Sequence, residues 1–499
     1  MSIFFTVNSS STASKPERNP YRNVPKTGTA LLWMILMIIC GSPAFSQSKG
    51  FTPLTLHGPR SVALMSQIDE HLKADFRPGD TWVEHVRLRQ ATFLKRMVRS
   101  RAFIDNDSIQ NYVERYFDRL VHSNTLTGKP RLVLIMNSPE SNAACYGSGV
   151  FIVTAGLLAN MPDEASLSFI LAHEVAHDEL SHVQQTLRVL SRERESRNPA
   201  AAFARILLTD VNEGYIDAFR TTMYASAAMS REHEMQADSL ALSLIQRAGY
   251  SVSAAEHALS TLASLRHADK NDLFAALSFQ DFPFKEHWLD ERLKVYHRKP
   301  ANTFLWSFDS LRSHPQMERR IQTLSKYGAN SDRLPCDGTD SHRSVDSVTE
   351  ARISSLMAFQ SIEAAYQTNQ YDIALFNLLR QLKSHPGHPY LITRTAAILV
   401  DMFHAKNEGD ASTVSQFTSN LSESERLVNN FLFNMSKEEV AELAYQFLNN
   451  RENFDATNAA HYHLLWEACQ LTSREQVETK VATAYKRRFG GEIQAFHVD

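Results

Sequence analysis

The chain has 499 residues, a formal net charge of -3 and no long lysine or arginine block, so broad attraction to nucleic-acid backbones is excluded as a partner mode. That length exceeds one ordinary core and predicts two or three domains. Its 4 cysteines rule out a disulfide scaffold. At the N-terminus, Lys15, Arg18, Arg22 and Lys26 precede the apolar run "ALLWMILMIIC" and then "GSPAFSQS". Basic, apolar and small residues in that order predict a secretory signal over 1–46, with Ala44 and Ser46 suited to cleavage. The run from Ala30 to Cys40 is about half of what a spanning helix needs, so no permanent membrane span is expected. Ile39 stands before Cys40 where lipidation would want a small residue. The mature chain would be exported, periplasmic or secreted after cleavage, or else associated with a membrane. It would keep Cys145, Cys336 and Cys469, which allow one disulfide or, equally, three buried small hydrophobes.

Downstream, "DSIQNYVERYFDRLV" sets Ile109, Tyr112, Val113, Tyr116, Phe117 and Leu120 at helical spacing and predicts an amphipathic helix from about Asp107. "RLVLIMN" and "GVFIVTAG" read as strands, with Gly147 and Gly149 loosening the approach to the second. From Asp163 the pattern is helical through "LAHEVAHDELSH" toward Leu190, and a second long helix covers "SREHEMQADSLALSLIQRAGY" as far as Gly249. Between these helices, "SRERESRNPAAAF" is charged and interrupted by Pro199, which predicts a turn or surface excursion. Residues 329–349, rich in Asp, Ser and Gly, form the linker candidate between a domain at 47–328 and an all-helical one at 350–499. In the latter, Tyr371, Ala374, Leu378 and Pro386 fit the second helix of a tetratricopeptide repeat. Gln381 departs from that pattern and no second copy is clear, so an irregular helical domain is the competing reading. The expected fold is mainly α with a small β-sheet, followed by an all-α, tetratricopeptide-like helical domain.

His173 and His177 are four residues apart, so on a helix both imidazoles leave one face and can hold one ion, with Glu174 alongside. This HExxH arrangement suits zinc, the carboxylate acting as general base on the attacking water. A third ligand is needed. His182 arrives one residue too early for the pattern with a histidine ten residues after the first. With no glycine to interrupt the helix it should point away from the pair, as a packing or surface residue. "SREHEMQAD" offers a glutamate instead: Glu234 and Asp238 share a helix face, and Ala237 leaves room for close approach. Glu232 and His233 lie around the helix and read as solvated. Two imidazoles and one carboxylate favour Zn2+, one per chain, over magnesium or calcium.

"HEVAH", then "SREHEMQAD", preceded by "NAACYGSGVFIVTAGLL", resembles the zinc metallopeptidase family that contains the HtpX heat-shock protease, the prenyl-protein CAAX protease and the periplasmic β-barrel assembly-enhancing protease. The likeness spans about residues 105–325. It implies an α+β zincin-like peptidase domain of the gluzincin type, with His173, His177 and Glu234 as metal ligands, Glu174 as base and Asp238 orienting a ligand. Without hydrophobic spans in its mature part, the chain is similar to the exported branch, some members of which carry tetratricopeptide repeats. "GVFIVTAGLL" would then be an edge strand pairing with substrate backbone, or else a plain core strand. "SHPQMERRIQTL" also resembles a segment of that family. His314 there, on a loop ahead of Pro315, is a candidate regulatory zinc ligand, while Arg320 either supports the site or forms a surface ion pair. The resemblance implies an exported endopeptidase acting on protein or peptide substrates, with envelope assembly partners on the C-terminal helices. The alternative is a chaperone or scaffold acting through those helices with little proteolysis.

Overall fold

The computed structural model describes residues 51–73, 81–124, 126, 131–187, 231–266, 269–291, 320–324, 347–409 and 421–493. The signal at 1–46, the excursion around Pro199, His314, Cys336 and nearly all of the predicted linker lie outside the described residues. Helices α1 (Pro59–Lys73) and α2 (Thr81–Arg99) precede α3 (Asp107–His122). The Asn106 side chain caps α3 by accepting from the Ile109 amide, which satisfies one of the unpaired donors of its first turn. All six apolar residues read from the α3 periodicity are buried.

Three strands follow: β1 (Leu132–Met136), β2 (Ala143–Gly147) and β3 (Val150–Thr154), in the order β1-β3-β2. β1 runs parallel to β3, and β2 antiparallel to it. The sheet is covered on both faces. Leu132, Leu134, Met136, Val150 and Ile152 pack with Ile68, Leu72, Phe93 and Leu94 of α1 and α2. Val133, Ile135, Phe151 and Val153 face the core shared with α3 and with Leu167, Leu171 and Val175 farther along the chain. That two-sided burial explains strand sequences that are apolar at every position.

Two strand expectations change. β2 gives no strand signal, because Ala143, Ala144 and Gly147 carry little β-propensity. β3 is the central strand, not an edge; β2 occupies the edge. The β2–β3 turn runs through Gly147, Ser148 and Gly149, all at positive φ (76°, 56° and 73°), a sequence of left-handed residues that glycine makes inexpensive. β3 passes directly into α4 (Ala155–Asn160). A Cβ on Gly156 would lie 2.2 Å from the Pro139 carbonyl oxygen, so only glycine lets these backbones meet.

α5 (Glu164–Glu179) starts at Asp163, whose carboxylate accepts from the Ser166 amide. Glu164 in its first turn takes Arg119 Nη1 at 3.0 Å and the Tyr250 hydroxyl at 2.6 Å. Arg119 also donates to the Ala248 carbonyl, tying α3 to the end of α6 (Arg231–Arg247). α6 and α7 (Ser253–Ser264) both pack on α5, with Ala237 and Ala241 fully buried on α6.

Beyond α8 (Lys270–Phe274) and an isolated bridge between Phe279 and Phe282, the described elements are helices: α9 (Ser347–Gln367), α10 (Tyr371–Ser384), α11 (Pro389–Glu408), α12 (Glu423–Asn434), α13 (Lys437–Asn449), α14 (Ala459–Leu471) and α15 (Glu475–Phe489). The fold is thus mainly α with a small sheet, followed by an all-helical region. In α10 Ala374 and Leu378 are buried, while Gln381 is half-buried. The first of these helices touches the sheet-bearing part. Ser354 Oγ donates to the Ala159 carbonyl at 2.9 Å, Gln360 Nε2 to Asn137 Oδ1 at 2.8 Å, and Met357 lies in the core shared with α3 and the sheet. Cys145 and Cys469 are free, buried thiols.

One buried histidine in this region makes stability depend on pH. His461 on α14 is fully buried and its Nε2 donates to the Leu448 carbonyl at 3.0 Å. Burial pulls its pKa down to about 4. An unfolded histidine titrates near about 6.5, so between about pH 6.5 and 4 the unfolded chain takes up a proton that the folded chain refuses. Folding should lose roughly 3 kcal/mol over that interval. His461→Gln keeps a donor but does not titrate, and urea unfolding across that range should show a flatter dependence than the parent.

Candidate metal centre

α5 and α6 lie side by side, and this contact builds the centre. His173 and His177 leave the same face of α5 one turn apart, with their Nε2 atoms 3.0 Å from each other. Glu234 reaches across from α6, with Oε2 3.6 Å from His173 Nε2 and Oε1 3.5 Å from His177 Nε2. The three donor groups all fall within 4.8 Å of one another and all are buried. Tetrahedral donors at zinc distances stand about 3.4 Å apart, so two nitrogens and one oxygen at these spacings fit that ion.

The surroundings orient the His173 ring. Asp238, one turn after Glu234, places Oδ1 2.9 Å from His173 Nδ1 and directs that ring's Nε2 toward the centre. Arg320 grips Asp238 with both arms of its guanidinium, Nε to Oδ2 at 2.8 Å and Nη2 to Oδ1 at 2.7 Å. Burial alone would raise the Asp238 carboxyl; the hydrogen bonds from Arg320 and His173 overcome that and hold it well below the usual carboxylate range. On His173, burial and the Arg320 charge act downward, yet Asp238 and Glu234 carry the metal-free ring up to about 9.

Glu174 is buried on the side of α5 that meets the sheet edge. Its Oε2 accepts from the Cys145 amide of β2 at 2.7 Å. One turn on, Asp178 Oδ1 accepts from the Gly149 amide at 3.2 Å. The positive-φ turn after β2 and the α5 carboxylates therefore fix each other. Burial pushes the Cys145 thiol well up, helped by Asp178 and Glu174, so it stays protonated beside them.

Of the residues singled out in the sequence, the structure brings together His173, His177, Glu174, Glu234 and Asp238. His314 lies outside the described residues. Arg320, left open between support and surface, is buried on Asp238. For His182 the helical expectation fails. α5 ends at Glu179, Ser181 adopts φ 57°, and helix resumes at 182, which turns His182 back behind His177 instead of away. It is fully buried, a packing residue rather than a member of the donor group. Nor is His233 solvated: its ring stacks on His182 with centroids 4.2 Å apart. Serine at a left-handed position gives no sequence signal, so nothing local announces the break.

Residues 107–328 match the profile of Peptidase family M48. The β-barrel assembly-enhancing protease of Escherichia coli O157:H7 is 22% identical over 508 residues, covering 95% of this chain and 96% of that protein. A Vibrio cholerae protein given the same name provisionally is 26% identical over 181 residues, 35% of this chain and 37% of that one. A mitochondrial metalloendopeptidase of Arabidopsis thaliana is 28% identical over 149 residues, 30% of this chain and 29% of its own. The matched segment holds both helices of the centre together with β2 and Arg320. The match over residues 107–328 and these relatives together make the chain a metallopeptidase.

Proposed function

We propose that this chain is a zinc-dependent endopeptidase acting on proteins. The supporting observation is the convergence of His173, His177 and Glu234 from two helices, with Glu174 buried beside them. Zinc held by those three residues supplies a Lewis acid for the scissile carbonyl and for water. Glu174 takes the proton of the attacking water and later returns it to the leaving amine. The Cys145 amide donates to Glu174 Oε2 and fixes the carboxylate against β2. Asp238 and Arg320 keep the His173 ring aimed. β2, at the sheet edge beside Glu174, is the strand on which an extended substrate backbone would pair, in the place first assigned to β3.

The relatives' name points to β-barrel assembly. The leader read at 1–46 would put the chain outside the cytoplasm, where envelope proteins are the substrates within reach. The described helices include none long and apolar enough to cross a membrane. The C-terminal helices are the surface we assign to assembly partners, and 47–328 and 350–499 the two working parts. The test is metal content of the purified mature chain with cleavage of an unfolded protein. Zinc near one ion per chain and cleavage abolished by a chelator are expected; cleavage indifferent to chelation would end this reading.

A further inference from the structure

His177 has two ring nitrogens, and the metal reading above uses only one. Its Nε2 faces His173 and Glu234, while its Nδ1 points backward to within 2.9 Å of His182 Nδ1. From the far side of the same ring, His182 Nε2 lies 3.1 Å from Gln236 Oε1, and Gln236 Nε2 donates to Glu232 Oε1 at 3.3 Å. Glu232, Gln236 and Glu234 all belong to α6, so the helix that delivers the carboxylate ligand also reaches the back of the histidine pair.

Donor and acceptor chemistry gives this series one direction. A carboxylate accepts only, so Gln236 turns its amide nitrogen to Glu232 and leaves its oxygen for His182. His182 must then carry its proton on Nε2, which makes its Nδ1 an acceptor. The matching donor is Nδ1–H of His177, and a neutral imidazole protonated there has its lone pair on Nε2, where the centre is. The stack with His233, 15° from parallel, holds the His182 plane.

We propose that His182, Gln236 and Glu232 form a one-way hydrogen-bond relay that fixes the tautomer and aim of His177. His182 is a positioning residue, brought there by the chain reversal at Ser181, and plays toward His177 the part that Asp238 plays toward His173. The relay rests on the metal-site reading proposed above.

The test is zinc affinity of the metal-stripped chain by competition with a chromogenic chelator. His182→Leu keeps bulk and removes the acceptor, and should weaken zinc roughly 10–100-fold. His182→Asn places Oδ1 near the lost Nδ1 and should stay within about threefold of the parent. Gln236→Leu changes an exposed position, leaves the core untouched and should also weaken binding, which keeps the relay falsifiable if His182→Leu fails to fold. Unchanged affinity in both leucine variants, or equal losses in His182→Leu and a folded His182→Asn, would overturn the relay. A parent chain that takes up no zinc would instead overturn the metal-site reading itself.

Discussion

Glu174→Gln is expected to lower kcat for cleavage of an unfolded protein by about 10²–10⁴-fold, the range a positioned general base contributes. Zinc content should be unchanged. The substitution is nearly isosteric, and the amide oxygen of glutamine can still accept from the Cys145 amide that holds Glu174 at 2.7 Å. What disappears is the capacity to take a proton from water. His173, His177 and Glu234 are untouched, so metal analysis and turnover separate in one variant. The same variant decides whether the chain serves the cell by proteolysis or as a scaffold, because a scaffold acting through the C-terminal helices would keep its role with Gln at 174. Turnover close to that of the parent would remove Glu174 from the mechanism.

Arg320→Met should destabilise the chain by about 3–5 kcal/mol, the cost of leaving one member of a buried ion pair without the other. Arg320 and Asp238 are both buried, and their two contacts of 2.7 and 2.8 Å are bidentate. Because the Asp238 carboxyl is depressed in the folded chain, its contribution is present above about pH 4, the unfolded value, and is lost only as pH falls further. Urea unfolding at neutral pH, with metal removed by chelation, measures the loss directly. Replacing both partners, Arg320→Met with Asp238→Asn, should recover much of it, since the isolated buried charge is then gone. Zinc should bind more weakly in both variants, because the side chain at 238 that orients His173 is no longer gripped by the Arg320 guanidinium. A single variant within about 0.5 kcal/mol of the parent, the usual range for a surface change, would show that the pair is not buried.

Much of this fold is legible in the sequence because burial imposes periodicity. α3 shows a clean stripe, and α6, ending at Arg247, is followed by a turn at Gly249, where φ is 81°. β1 and β3 are apolar at every position because helices cover both faces of the sheet. β2 is not legible, since it holds its place through the Cys145 and Gly149 amides on α5 carboxylates rather than through β-branched side chains. Its insertion at the edge is also what moves β3 to the middle. At the centre, helical spacing alone puts His173 with His177 and Glu234 with Asp238. That the two pairs face one another depends on α5 and α6 packing around Ala237 and Ala241, a long-range contact that no local pattern encodes. Arg320 and His182 are the plainest cases of hidden meaning. The first is an arginine in a charged helix start, the second lies beyond a reversal at a serine, and each acquires a role only through a partner distant in the chain or the turn.

The most direct measurement is the anomalous difference map of crystals of the zinc-loaded chain, collected at the zinc edge. One strong peak is expected about 2.0–2.2 Å from Nε2 of His173, Nε2 of His177 and a carboxylate oxygen of Glu234. A peak elsewhere, or one that includes the two imidazoles while Glu234 turns away, would contradict a centre closed between α5 and α6.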